Sequence, residues 1–493
     1  MRDAWPLRRP ADARRAGARC AGLVALALSA GCTSPRAFLG EPLTRPAGAD
    51  GYRASAVLPR RAPDDLRVVV SFSGGGMRAS AFAYGVLEQL AEDRIRPTDG
   101  TGPRRLLDEV DLVSAVSGGA VTATYWALHG DRLFTDFRRR FLMRDVSGGL
   151  QRAVFLDPRN WVRLASSEYS RGDVYADYLD RKLFRGAKFA DLDRSGQRPF
   201  LILNATDIGV AARFEFTQES FDLLCADLDS YPISRAVAAS SSVPALLTPI
   251  TMRNRAGGCG YRMPVWVAPA AAAHDDSRRH LRASAMQSYA DRDRYGWLHL
   301  VDGALGDNLG VRAALDALAD RDDPAQPDPH AVSPERRLVF ITVNASDWQA
   351  GRIGGSRRPP DAMEMLRLTG TVPVDRYTVE TKALLRETLR RWMDGDGGAE
   401  RAHIVEVDLD ELRDDPRFGR LTRLSTAFDA APGDIDELRC AARRLLMANA
   451  EYRRFLAASG TAAEAADAGG AADCARPEAA PARVTMSSRR PWS

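Results

Sequence analysis

The chain has 493 residues, 45% of them hydrophobic and 27% charged, enough to bury a large core as one big α/β domain or two smaller ones. Its formal net charge of +4 is concentrated at one end: residues 1–31 hold six arginines and two aspartates, so the rest carries 63 basic and 63 acidic side chains. Such a balance excludes the basic surface excess on which nucleic-acid binding depends.

At the N-terminus an arginine-rich stretch precedes the apolar run Ala21–Ala30 and then Gly31-Cys32. A positive region, a short apolar region and small residues at its end read as a signal peptide over residues 1–31. The run is too short to remain as a membrane-spanning helix. Cys32 after Ser29-Ala30-Gly31 resembles a bacterial lipobox, whose cysteine is lipidated and becomes residue one. Ser29 departs from the usual Leu, and ordinary cleavage with secretion is the alternative. The residues after Cys32 are not acidic, which points such a lipoprotein to the outer membrane of the bacterial envelope. Residues 32–65, rich in Pro, Arg and Ala, read as a tether.

The elements that follow alternate. Residues 66–72 read as a buried strand, and Arg78 to Leu90 as a helix with Ala79, Phe82, Val86, Leu87 and Leu90 on one stripe. Val110–Ala115 and Ala120–Leu128 repeat the pair. Further strands are expected at Phe200–Asn204, Leu298–Val301 and Arg337–Val343. Helices are expected at Ser234–Ala239, Val311–Leu318 and within Ala362–Met393. This order predicts a three-layer α/β/α fold around a mostly parallel sheet. Residues 254–295 and 321–336 read as loop insertions, 66–456 as the catalytic domain, and 457–493, dominated by Ala, Gly, Ser and Pro, as a disordered tail. Four cysteines follow Cys32 and allow three pairings, among which sequence alone does not choose; Cys225–Cys259 and Cys440–Cys474 are the local ones, which an oxidising envelope permits, and free buried thiols are the alternative.

Two junctions carry the chemistry. In Ser73-Gly74-Gly75-Gly76-Met77-Arg78, three glycines bare their N–H groups where a strand hands over to a helix, an anion cradle. A nucleotide reading needs G-x-x-x-x-G-K-[ST], which Met77-Arg78-Ala79-Ser80 does not supply. In Ala115-Val116-Ser117-Gly118-Gly119, a serine between small residues leaves a strand and opens a helix, as in a nucleophile elbow. Ala115 replaces the usual first glycine and Gly119 keeps the last.

A serine hydroxyl needs a base. None of the six histidines sits in an obvious catalytic setting. Asp302, in Leu298-His299-Leu300-Val301-Asp302-Gly303-Ala304, stands at the carboxyl end of an apolar strand, the edge where open α/β sheets build sites. A desolvated carboxylate there could take the serine proton directly.

Together these motifs resemble the patatin-like phospholipase family: a G-G-G-x-R/K oxyanion loop, an elbow serine about forty residues later, and a D-G-G/A aspartate. Asn204-Ala205-Thr206-Asp207 with Arg213-Phe214-Glu215-Phe216, and Ala236-Val237-Ala238-Ala239-Ser240-Ser241-Ser242-Val243-Pro244, add to the likeness, which spans about residues 66–345. Ala115 and Ala304 replace family glycines without removing a reactive side chain. The resemblance implies a Ser117–Asp302 dyad without histidine and an oxyanion hole from Gly74, Gly75 and Gly76. Arg78, Gly119 and Gly303 have supporting places, with no metal or other cofactor. It implies lipid acyl esters as substrate (phospholipids, lysophospholipids or neutral esters) and a membrane-associated enzyme if Cys32 is lipidated. Two rivals are a Ser-His-Asp esterase using His299 or His403, and a non-catalytic envelope lipoprotein on the same scaffold.

Overall fold

The computed structural model describes residues 40–460, except 49–50, 59–65, 97–101, 167–168, 193–198, 245, 274–276, 320–336, 347–354, 356, 394–400, 425–427 and 429. The signal segment, Cys32 and Cys474 lie outside the described residues.

One eight-stranded sheet organises the domain. Its strands in chain order are β1 (Leu66–Phe72), β2 (Val110–Val116), β3 (Phe200–Asp207), β4 (Ala212–Glu215), β5 (Ile250–Arg253), β6 (Trp297–Asp302), β7 (Arg337–Asn344) and β8 (Ala402–Asp408). They lie in the order β8-β7-β1-β2-β3-β6-β5, with β4 beside β3. The five from β8 to β3 are mutually parallel. Strands β1, β2 and β3 are buried almost throughout, which is why they read as near-continuous apolar runs. The charged members of β1 and β2 pair with each other. Arg67 meets Asp111 at 2.9 Å, and Asp111 also accepts the Val68 N–H at 2.8 Å.

Helices cover both faces. One layer holds α1 (Gly76–Glu92), α2 (Ser117–His129), α6 (Ile233–Ser240) and α9 (Pro432–Ala448); the other holds α7 (Val311–Leu318) and α8 (Ala362–Met393). Between α2 and α6 the chain forms α3 (Val146–Phe155), α4 (Pro158–Leu164) and α5 (Arg171–Leu179). Gly85 lets α1 approach α9 closely, since a Cβ there would lie 2.4 Å from the Arg439 carbonyl. Arg439 and Arg443 of α9 then pair with Glu88 and Glu92 of α1.

The sheet is mostly parallel, as expected; the strand at Leu298–Val301, here β6, joins it antiparallel to β3. Several expectations need correction. Part of the expected tether is packed: residues 41–42 pair with 226–227, and the fully buried Tyr52 stacks on Phe200 at 4.5 Å. Its apolar ring had been hidden in a Pro/Arg-rich context. Residues 254–295 carry two helices, Val267–Ala273 and Arg278–Ala290, rather than loop alone. Ordered structure runs past 456, through the helix Ala450–Ala458 to Gly460. Cys225 and Cys259 form a disulfide, with Cα atoms 5.4 Å apart.

Candidate active site

Both motif junctions meet at one place. Ser117 opens α2 directly from β2 and adopts φ 51°, a left-handed conformation that a serine takes only when its surroundings impose it. They do so by close packing on the glycines behind it. A Cβ on Gly118 would stand 1.9 Å from the Gly76 carbonyl, and one on Gly119 would stand 2.7 Å from both the Phe72 Cβ and the Ser73 carbonyl. The elbow and the glycine loop are therefore pressed backbone to backbone. Ala115 is harmless because it lies within β2, paired to Phe72 and Leu203, before the turn begins.

The register of β6 delivers the acid. Val116 pairs with Asn204 on one side of β3, and Ala205 pairs with Asp302 on the other. Because β6 is antiparallel and overlaps only the last residues of β3, its final residue comes back level with the elbow. The expected strand-end carboxylate is thus delivered by an antiparallel strand. Gly303 makes the fit possible: a Cβ there would lie 2.3 Å from the Asn204 carbonyl.

The Ser117 hydroxyl donates to Asp302 Oδ2 at 2.8 Å. Both residues are buried, 2% and 4% exposed. Burial pushes the Asp302 carboxyl up to about 6, against the opposing pull of the Ala304 N–H at 2.9 Å on Oδ1 and of the Ser117 hydroxyl. Ser240 accepts the Ser117 N–H on its hydroxyl at 2.8 Å. The Asp302 N–H donates to the Ser242 carbonyl at 3.0 Å, and the Gly303 N–H to the Ser240 carbonyl at 3.1 Å.

Of the three loop glycines, Gly74 gives its N–H to Asn308, to the carbonyl at 3.1 Å and to the side-chain oxygen at 3.2 Å. Gly75 (φ 136°) and Gly76 (φ 59°) open α1, and their N–H groups have no acceptor among the described residues. Arg78 is buried; its Nη1 donates to the Leu424 carbonyl at 2.7 Å and anchors the 421–424 segment against α1. It therefore holds the loop in place and puts no exposed charge beside Ser117.

Two residues were missed by sequence reasoning. Asn308 clamps Gly74 and, through Nδ2, donates to Ser346 at 2.6 Å; its place six residues after Asp302 was the only signal. Tyr175 of α5 is fully buried near Asp302 and Ser241, and burial chiefly holds its hydroxyl in the neutral form. Nothing local in its sequence marks it.

No histidine among the described residues contacts Ser117 or Asp302. The exposed His299 faces Thr251 at 3.0 Å, and His403 pairs with Glu451 at 2.7 Å. A cavity of about 1020 Å³ lies between β3, β4 and α8, but neither Ser117 nor Asp302 lines it. The dyad's hydrogen bond, rather than that space, defines the candidate site. Among the described residues no cluster of His, Cys, Asp or Glu is arranged to hold a metal, and no helix is long and apolar enough to cross a membrane.

A buried serine held against a carboxylate at an elbow, facing a glycine-rich helix start, is the arrangement of a serine acyl-transfer site. Residues 70–315 match the family model described as patatin-like phospholipase, and the chain belongs to that family. Among solved structures it is similar to human GIVD cytosolic phospholipase A2, at 13% identity and TM-score 0.34, over 63% of this chain and 52% of that one. It is also similar to VipD from Legionella pneumophila, at 12% identity and TM-score 0.29, over 81% of this chain and 67% of that one. The chain thus spans about half the length of the first structure. No curated protein sequence matches it.

Proposed function

We propose that this chain is a serine acyl hydrolase that cleaves carboxylic esters of lipids, in the manner of a phospholipase or lysophospholipase, through a Ser117–Asp302 dyad. The observation that carries the reading is the 2.8 Å hydrogen bond from the Ser117 hydroxyl to a buried carboxylate. Asp302 accepts the serine proton as Oγ attacks the ester carbonyl. The tetrahedral oxyanion is held by the N–H groups of Gly75 and Gly76. Gly74 holds the loop through Asn308 in the resting geometry. The proton on Asp302 passes to the leaving alcohol, and water then hydrolyses the acyl-Ser117 ester with Asp302 again as base. The family of residues 70–315 supports a lipid acyl group as substrate.

The N-terminal pattern ending at Cys32, together with the Cys225–Cys259 disulfide, supports an exported enzyme anchored in the bacterial envelope, or a secreted one if Cys32 is not lipidated. Hydrolysis of a long-chain phospholipid by the purified chain, with release of fatty acid followed for wild type, Ser117→Ala and Asp302→Asn, tests the function. Activity in wild type alone is expected. Equal activity in Ser117→Ala contradicts the dyad. A Ser-His-Asp mechanism instead requires loss of activity in His299→Ala or His403→Ala.

A further inference from the structure

Helices α3 and α4 form a hairpin between the elbow helix and α5. Four large apolar side chains leave it for solvent within eight residues: Phe155 (68% exposed), Leu156 (70%), Trp161 (54%) and Val162 (65%). Single exposed apolar residues are ordinary, but four so close together form a patch.

The hairpin's polar groups are satisfied internally. Asp145 accepts the Gly148 N–H at 2.6 Å and Asp157 the Arg159 N–H at 3.0 Å, capping the two helices. Asn160 donates to the Ala153 carbonyl at 2.8 Å, locking α4 onto α3. The Trp161 indole N–H donates to the Val154 carbonyl at 3.1 Å. A tryptophan whose N–H is already bonded can enter an apolar medium without stranding a donor.

Charge and position complete the case. Arg144, Arg152, Arg159 and Arg163 stand against Asp145 and Asp157 in this stretch, a local excess of two positive charges within a span, residue 32 onward, that is neutral as a whole. Arg163 pairs with Asp177 at 2.5 Å, while Arg159 and Arg152, the latter loosely paired with Asp145 at 3.9 Å, are exposed. The hairpin rests on α5, where Gly149 packs against the Tyr178 ring. The start of α5 packs in turn against Ser242 and Thr248, beside the dyad.

We propose that this hairpin docks the protein on an anionic lipid bilayer, sinking Phe155, Leu156, Trp161 and Val162 into the interface while Arg152 and Arg159 meet the headgroups. The proposal rests on the lipid-hydrolase reading only in that it says how the site reaches its substrate. A second copy is the poorer occupant. Four side chains fall short of the roughly 1,000 Å² that a stable interface buries, and a two-fold contact would bring arginine-flanked patches together.

The test uses the full chain carrying Cys32→Ser, so that no acyl anchor contributes, sedimented with phosphatidylcholine vesicles with and without phosphatidylglycerol. Binding to the anionic vesicles is expected, weakening as salt rises. The double variant Leu156→Glu, Val162→Glu is expected to bind at least about tenfold more weakly. Phe155→Ala, Trp161→Ala weakens binding without adding charge. Hydrolysis of a soluble short-chain ester stays unchanged in both. Vesicle binding unchanged in the variants overturns the proposal. So does a parallel loss of short-chain activity, or wild-type self-association that the variants abolish. Vesicle binding lost in the variants of a protein that cleaves no ester leaves the docking role standing and removes the dyad reading instead.

Discussion

Ser240 holds Ser117 by its backbone: its hydroxyl accepts the Ser117 N–H at 2.8 Å, while its own carbonyl accepts the N–H of Gly303, the neighbour of Asp302, at 3.1 Å. One residue thus ties the nucleophile's turn to the acid's turn. Ser240→Ala removes the first tie and leaves the second. The expected result is a fall in kcat of about tenfold with KM nearly unchanged, from loss of roughly one hydrogen bond's worth of positioning. An unchanged kcat means that the elbow is held by packing alone.

Gly303 and Ala304 separate two kinds of small residue. Gly303→Ala puts a methyl 2.3 Å from the Asn204 carbonyl, which is rigid backbone, and should cost about 1–3 kcal/mol while displacing Asp302. Thermal unfolding reads the first effect and esterase activity the second. Ala304→Gly should cost less than about 1 kcal/mol.

Arg78 is expected to behave as a structural anchor. Arg78→Ala leaves the Leu424 carbonyl without its buried donor and opens a void beneath α1. A loss of about 2–4 kcal/mol in stability is expected, measurable by denaturant titration. Residual activity per folded molecule should fall much less than for Asp302→Asn.

Asp302 links activity and stability to pH with opposite signs. As a base it must be ionised, so kcat/KM should rise through an apparent pKa near 6 and then level off. In the folded state its pKa stands above the ordinary carboxylate value. Its contribution to stability is therefore complete at low pH and is lost as pH rises through about 6. Asp302→Asn lacks that loss. Its Tm should exceed that of wild type at pH 8, with the gap closing towards pH 4. A gap independent of pH contradicts the buried, ionised carboxylate.

The junctions β1–α1 and β2–α2 were legible because steric demand writes itself into sequence. Gly118 and Gly119 have no room for a Cβ, and fully buried strands leave continuous apolar runs. The direction of β6 was not legible, since Leu-His-Leu-Val reads alike in either sense; its pairing with β3 had to be seen. Strands β4 and β5, four residues each, are too short to announce themselves. Strand β8 alternates half-buried and buried positions at the sheet's edge, so it lacks the apolar run that marks β1. Tyr175 reaches the site through tertiary packing from a distant element, and Asn308, though only six residues after Asp302, acts by clamping Gly74 from far along the chain, a contact that no local pattern predicts.

The most direct test of the account is covalent labelling of the intact protein with a fluorophosphonate, followed by mapping of the modified residue by mass spectrometry. A single adduct on Ser117 is expected, absent in Ser117→Ala and formed far more slowly in Asp302→Asn. No adduct in wild type, or equal labelling of Ser117→Ala, contradicts the proposed nucleophile.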